Sequence, residues 1–467
     1  MQISILKNSE VITENTTYRL DAEFFQNHFL EVVNKVESNK FSYIENITSW
    51  VTQGPNPYFS KTGIPCLTGR NINKGEVSYL NSDYVDKTEY QRLSRYQLQK
   101  GDTLITLKGK GSIGKIGYVT ENKSAIFSRD IGIVRPASVD KGYLNVFLLC
   151  KYGKMLIDRG ETGGTGQSTL TTSYLKSIPI PRFNIEEKIG QLLCEVEFVK
   201  KRSNQIYTQA QALLLSELGL SDWKPKHQLT FIKNYSDTKH ARRMDAEYYQ
   251  PKYEEVVKAI KNYSGGWKKL VNLLGIKDKN FQPQNSFEYN YVELAHIGNN
   301  GEITNHMKAE GSELPTRARR KVSAGDVVIS SIEGSLTSIA LVEEQYDNAL
   351  CSTGFYVVNS VEINSECLLI LLKSIVGQIQ LKKGCNGTIL TAINKDEFSK
   401  IILPILPPEI QTEISQKVTE SFALRKQSKH LLESAKRAVE MAIEQDEDKA
   451  MRWLEGEVKD QGGSDAE

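Results

Sequence analysis

The 467-residue chain has no run of 18 or more apolar residues, so no helical membrane span is expected. Its first residues, MQISILKNSEVITEN, lack the basic start, apolar centre and small-residue cleavage site of a secretory leader. The expected compartment is the cytoplasm. Cysteine is sparse. Cys66, Cys150, Cys194, Cys351, Cys367 and Cys385 form no C-x-x-C pair, which favours free buried thiols in a reducing compartment over disulfides or zinc. Neither sign of charge dominates: 59 Lys and Arg face 57 Asp and Glu. That is not the strongly basic balance of a small nucleic-acid binder, but Lys and Arg can still gather on one face. His28, His227, His240, His296, His306 and His430 show no H-E-x-x-H or other ligand spacing, so no metal site is expected. There is no Pro-Asp dipeptide for a PD…E-x-K nuclease, and no Ser or Cys sits in a nucleophile elbow.

Two stretches imitate catalytic motifs and fall short. GKGSIGK, Gly109–Lys115, has the glycine spacing of a phosphate loop. Ile116 follows its lysine where a magnesium-binding hydroxyl is needed, and the stretch runs into another strand-like segment, not a helix. A tight β-turn is the better reading. NPYF, Asn56–Phe59, is similar to the N-P-P-[YFW] loop of adenine-N6 methyltransferases but lacks the second proline, and no glycine-rich turn for a methyl donor accompanies it. No catalytic residue is expected.

What the chain does have is a repeat. RLDAEFFQ, Arg19–Gln26, returns as RMDAEYYQ, Arg243–Gln250, 224 positions on. Gly101-Asp102 returns as Gly325-Asp326, AIFSRDIGIV from Ala125 as ALCSTGFYVV from Ala349, and STLTTSYLKSIPIP from Ser168 loosely as TILTAINKDEFSKIILPILP from Thr388. The order is kept and the offset hardly drifts, so one unit of about 224 residues is written twice. That period is too long for a solenoid.

Each unit changes pattern once. Short alternating stretches such as DTLITL, IGIVRP and DVVISSI, punctuated by Gly, Asn and Pro, read as a mixed, largely β domain. A helix follows. From Ile185 to Leu218, apolar residues at Ile189, Leu192, Val196, Val199, Ile206, Ala210 and Leu213 recur at heptad spacing, interrupted only by Ser203. Leu214 and Leu218 continue the face as a straight helix drifts off the heptad, and Gly219 suits a C-terminal cap. The second helix, from Glu409, repeats the seam more weakly through Ile414, Leu424, Leu431, Ala435 and Ala438, with polar Lys417, Ser421 and Ser428 on it. The expected arrangement packs the two helices as an antiparallel coiled coil. Leu192, Val196, Val199, Ile206, Leu213, Leu218, Leu424, Leu431 and Ala435 are the expected partner-helix interface.

Basic and amide residues cluster in the β segments. In the first unit they are Arg70, Asn71, Lys108, Lys110, Lys115 and Arg129; in the second, Gln282, Gln284, Asn299, Arg317, Arg319 and Arg320. A basic run is usually a solvated face. Arg and Lys beside Asn- and Gln-rich loops also suit DNA phosphates and base edges, so these twelve are the candidate DNA-binding residues. The three clustered arginines are expected on the DNA backbone.

The duplicated RLDAEFFQ/RMDAEYYQ, the GDTLIT…GSIGKI and GDVVISSIEGSL segments, TTSYLKSIPIPRFNIEEKIGQLL with its counterpart ILPPEIQTEI, and LPTRARRKVSAGD together resemble the specificity subunit of Type I restriction–modification systems over nearly the whole chain. The first copy departs from the family pattern where RFNIEEK lacks a glutamine, and the resemblance leaves the acidic C-terminal extension unexplained. The resemblance implies an α+β fold. Target-recognition domains lie at 1–180 and 223–405, spacer helices at 181–222 and 406–455, and an acidic, disordered tail at 456–467. It implies a non-catalytic subunit in which each domain reads one half of a bipartite double-stranded DNA target. The helices set the gap and dock two modification subunits. No cofactor is expected on this chain: S-adenosylmethionine would sit on the modification subunits, and ATP and magnesium on the restriction subunits that join the full complex. The alternatives are a methyltransferase or nuclease with fused recognition modules, for which no motif is found, and a coiled-coil scaffold with no DNA role.

Overall fold

The computed structural model of the protein describes residues 19–73, 75–109, 111–163, 168–241, 243–387 and 391–462. Helices and sheets are mixed throughout, and the chain divides into two compact units: residues up to Lys200 with those from Lys426 onward, and Lys201–Arg425. Among the described residues no helix is long and apolar enough to cross a membrane.

The first unit begins with helix α1 (Asn27–Glu37) and then builds strands β1 (Thr48–Gln53), β2 (Ile64–Leu67), β3 (Ile72–Asn73), β4 (Gly75–Val77), β5 (Asp83–Val85), β6 (Thr103–Thr106), β7 (Ile116–Tyr118), β8 (Ile126–Phe127) and β9 (Ile131–Pro136). One sheet has the order β1-β9-β6-β7-β4-β3, and a second has β5-β2-β8 with β2 and β8 parallel. The central strands β6 and β9 are almost wholly buried, β6 (TLIT) with Leu104 and Ile105 between two buried threonines and β9 through its apolar segment IGIV. Helices α2 (Lys141–Leu149) and α3 (Lys151–Arg159) follow, then the long helix α4 (Glu186–Glu217). Asp140 caps α2 by accepting from the Tyr143 N–H at 2.8 Å. Against it Gly190 of α4 comes so close that a Cβ there would lie 2.0 Å from Asp140 Oδ1.

The second unit holds α5 (Pro251–Asn262), β10 (Gly275–Ile276), β11 (Glu288–Val292), β12 (Met307–Glu310), β13 (Ala318–Lys321), β14 (Val327–Ser330), β15 (Ile339–Leu341), β16 (Leu350–Ser352) and β17 (Phe355–Asn359), then α6 (Ser365–Lys373), α7 (Ile375–Gly384) and α8 (Pro408–Glu444). Its sheets are β10-β17-β14-β15 and β12-β11-β16-β13, the second with β11 and β16 parallel, as β2 and β8 are in the first unit. Where the first unit has its Gly190 contact, Ser415 Oγ donates to Glu366 Oε2 at 3.0 Å. Apolar α6 is buried along most of its length, from Cys367 to Leu372.

The recurring phrase acts as the same fastening in each unit. Arg19 grips both carboxylate oxygens of Asp21 at 2.8 and 2.7 Å and donates to the Arg159 and Glu161 carbonyls at 3.0 and 3.2 Å. Arg243 grips Asp245 at 2.8 and 2.7 Å and donates to the Lys383 and Cys385 carbonyls at 3.4 and 3.0 Å. Each arginine thereby ties the start of its unit to the end of α3 or α7, where helix carbonyls lack intrahelical partners. The paired guanidinium, by direct hydrogen bonding, holds the Asp21 and Asp245 carboxyls below the usual carboxylate range.

The long helices run through the expected segments. Leu192, Val196, Val199, Ile206, Leu218, Leu431 and Ala435 are buried, while Leu213 and Leu424 are only half-buried. Fully buried Leu214 has taken the place of Leu213, the drift of a straight helix. Seam serines are hydrogen-bonded inside each unit. In the second, Ser203 Oγ donates to the Ser421 carbonyl at 2.8 Å and Ser421 Oγ to the Ser203 carbonyl at 2.9 Å. In the first, Ser428 Oγ donates to the Val196 carbonyl at 3.0 Å.

The C-terminal region departs from expectation. The second long helix stops at Glu444, not near 455, and a further helix α9 (Glu447–Gly462) occupies most of the supposed disordered tail. Asp446 starts it by accepting from the Lys449 N–H at 2.7 Å, Ala450 and Leu454 are buried, and Glu447 accepts the Ile185 N–H at 2.7 Å at the head of α4. A carboxylate there meets unpaired helix N–H groups. Residues 463–467 lie outside the described residues. Five of the six cysteines are buried and all are free. Burial pushes the thiols of Cys66, Cys150, Cys351 and Cys367 up to about 12.

Candidate nucleic-acid interface

The first unit gathers its basic residues at one cleft. The segment between β6 and β7 turns through Gly109 and Gly114, with φ of 116° and 72°, left-handed values that a side chain disfavours. The Gly114 N–H donates to the Thr106 carbonyl and the Thr106 N–H to the Lys115 carbonyl, each at 2.9 Å, which closes the turn between two strands. No helix follows, so the segment offers no helix N-terminus to a phosphate. Beside it, Gly69–Asn71 forms a short 3₁₀ turn fixed by a reciprocal cap between Thr68 and Asn71. The two segments enclose a cleft of about 360 Å³ lined by Arg70, Lys108, Lys115, Ser112, Thr68 and Asp130.

Arg70, Lys108 and Lys115 are thus brought together from distant parts of the chain. Arg70 is exposed and pairs with Asp83 at 2.5 Å. Neither lysine makes an ion pair among the described residues. Asn71 is corrected. It is 2% exposed, and its amide donates to the Ser78 and Leu80 carbonyls at 3.0 and 3.2 Å while its oxygen accepts the Thr68 N–H. It shapes the loop and cannot reach a base. Arg129 is exposed but does not line the cleft; its carbonyl accepts from Gln53 Nε2 at 2.6 Å. Lys110 lies outside the described residues. The hydroxyls of Thr68 and Ser112 were missed; their only sequence signal was adjacency to the basic positions.

In the second unit the expected residues do not converge. Arg317 is exposed ahead of β13, and the register of β13 against β16 shifts between Ala318 and Arg320. Arg319 donates to Gln282 Oε1 at 2.9 Å and to the Thr316 carbonyl at 3.1 Å. Arg320 is half-buried, and its Nη1 is buried with no hydrogen bond. With Arg317 exposed ahead of the strand, Arg319 tied to Gln282 and Arg320 half-buried, the three arginines are not one charged strip. Gln282 is tied to Arg319, while Gln284 is exposed. Asn299 is exposed too, but its loop belongs to the long helices: Asn300 Nδ2 donates to Asn204 Oδ1 at 3.1 Å, and Arg425 Nη1 pairs with Glu302 at 2.6 Å.

Tyr58 and Phe59 are exposed, the Tyr58 N–H donates to Glu89 Oε1 at 2.9 Å, and Arg92 lies over the Tyr58 ring. Among the described residues no three His, Cys, Asp or Glu side chains are placed to hold a metal ion.

The family model for the Type I restriction modification DNA specificity domain matches residues 273–434. No curated protein matches the chain. Among solved structures, the S subunit of a Type I restriction-modification system from M. genitalium aligns at 13% identity over 86% of this chain and 94% of its own, with a TM-score of 0.41. The HsdS subunit from Thermoanaerobacter tengcongensis aligns at 14% identity over 87% of this chain and 97% of its own, with a TM-score of 0.28.

Proposed function

The chain carries a Type I restriction modification DNA specificity domain, and on that premise we propose that it is the non-catalytic subunit that directs such a system to its DNA sequence. Each unit reads one half of a bipartite double-stranded target. The two long helices pair antiparallel, set the gap between the halves and dock two modification subunits, which carry S-adenosylmethionine; restriction subunits with ATP and magnesium complete the assembly. The observation that carries this reading is the specificity-domain match to the second unit, taken with the same arginine fastening in the first, 224 positions earlier. The pairs Ser203/Ser421 and Val196/Ser428 support the antiparallel helices, because a rise in one number accompanies an equal fall in the other. The cleft of Arg70, Lys108 and Lys115 supports contact with a polyanion.

Mapping methylated adenines in host genomes with the gene present and deleted tests the proposal. A two-part adenine motif should vanish on deletion. An unchanged methylation map would overturn it.

A further inference from the structure

The cleft of the first unit has a counterpart in the second, and matching hydrogen bonds fix the equivalent positions. The Asn71 N–H donates to Thr68 and the His296 N–H to Glu293, which sets Arg70 against Ala295. Lys108 bridges to Thr169 and Ile332 to Ala392, which sets Lys108 against Ile332. The Thr106 N–H donates to the Lys115 carbonyl and the Ser330 N–H to the Ser338 carbonyl, which sets Lys115 against Ser338. The Leu107 N–H donates to Asp130 and the Ser331 N–H to Gly354, which sets Asp130 against Gly354. The backbone cradle is therefore made twice, but the side chains reverse its charge. Three cations and one carboxylate line the first cleft. At the equivalent positions of the second there is no cation, and Glu293 and Glu333 stand where the first unit has Thr68 and Gly109. Glu333 is partly offset by Lys382 at 3.6 Å, as Arg70 is by Asp83.

We infer that the first unit's cleft seats a phosphodiester of duplex DNA through Lys108, Lys115 and Arg70, and that the second unit has no such seat. The salt-dependent grip at this cradle is then one-sided, although two halves of a target are read. The inference rests on the DNA reading above and adds to it a ligand group, a place and an asymmetry. Lys108 and Lys115 carry most of the attraction, since Arg70 must share its charge with Asp83. The Ser112 hydroxyl, whose Oγ lies 3.1 Å from the Gly109 carbonyl, stands at the same cleft as a further polar group.

The test is a salt titration of the full-length chain on a duplex of arbitrary sequence. Each phosphate contact contributes about 0.9 to the slope of log affinity against log salt. Lys108→Gln with Lys115→Gln should flatten that slope by about 1.8, and Lys108→Arg with Lys115→Arg should leave it unchanged. Lys188→Gln with Lys201→Gln, both exposed on α4, removes the same net charge elsewhere and should not flatten it. Ile332→Lys with Ser338→Lys should steepen it by installing the missing seat. DNA binding with an unaltered slope in the glutamine double variant would overturn the inference and leave the DNA reading standing. Equal flattening by the α4 variant would also overturn it, by showing that only net charge matters. No DNA binding by the wild-type chain at any salt would overturn both.

Discussion

Arg243→Ala should destabilise the second unit by about 3 kcal/mol, and Arg19→Ala the first by a similar amount. Two charge-assisted bonds to the Lys383 and Cys385 carbonyls are lost, at about 1–1.5 kcal/mol each, and the carbonyls lose their donors. The guanidinium also lies 4.3 Å from the Tyr248 ring centroid, worth about 0.5 kcal/mol. The Asp245 pair adds little by itself, because Asp245 is half exposed and two residues away. Asp245→Asn should therefore cost under about 1 kcal/mol. Arg243→Lys should fall between, since an ammonium cannot fork to a carboxylate and two carbonyls at once. Hydrogen exchange resolves this locally: a loss of about 3 kcal/mol speeds opening of the amides around Tyr248 and Cys385 by about 100-fold. The acid limb offers a second check. Asp21 and Asp245 have folded values below their unfolded 3.8, so their contribution is full above about pH 4 and is lost as pH falls through the folded values. If Asp245→Asn proves as damaging as Arg243→Ala, the carbonyl bonds are not what the arginine is for.

Gly190→Ala should lower stability by about 2 kcal/mol or more, because its Cβ would collide with the Asp140 carboxylate that caps α2; Ser415→Ala, at the equivalent place, should cost about 1 kcal/mol, and comparable losses from urea titrations would contradict the difference. Burial lowers the Lys373 ammonium to about 8 from 10.5, while its Nζ donates to the Thr337 carbonyl at 2.8 Å. Its charged form opposes folding below about pH 8, so wild-type stability relative to Lys373→Met should rise between pH 8 and 10.5, and a flat difference would refute the assignment. Seven-residue insertions after Ser203 and after Glu420 flank the hydrogen-bonded Ser203/Ser421 pair in matching register. They lengthen each helix by about 10 Å, about three base pairs, and the methylated motif should keep its halves and widen its gap; an active variant with the original gap would show that the helices are no ruler.

How far the sequence could be read follows from what each residue does. Arg19 and Arg243 were visible as a recurrence because a forked contact to two carbonyls tolerates few replacements. The helix seam was visible as a period, and Leu213 failed only because a straight helix drifts about 20° per heptad. Asn71 misled because the amide that reads an adenine is the same amide that closes a capping box. The separate environments of Arg319 and Arg320 were not legible because a register shift in β13 cannot be seen in a basic run. The helix α9 was hidden by its own charge. Its order depends on Ala450 and Leu454 finding apolar neighbours and on Glu447 finding the head of α4, none of which is local information.

The buried aspartates show why the interior repeats while the cleft does not. Asp102 takes the Gln99 N–H and a forked Arg135; Asp326 takes the Ser323 N–H and Lys277, and Asn359, where Arg135 would recur, still donates to it at 3.2 Å. The cation has moved to Lys277, just after β10, yet the carboxylate remains paired in both units. An unpaired buried charge costs several kcal/mol, so any change there must be compensated or the unit unfolds. Lys108 and Ile332 occupy equivalent places at the rim of a cradle, where either residue costs the fold little. Folding thus constrains the fastenings and leaves the cleft free. The proposed reading of two different half-sequences on one framework would need that division, with an interior held by paired buried charges and a rim whose charge can reverse at little cost to the fold.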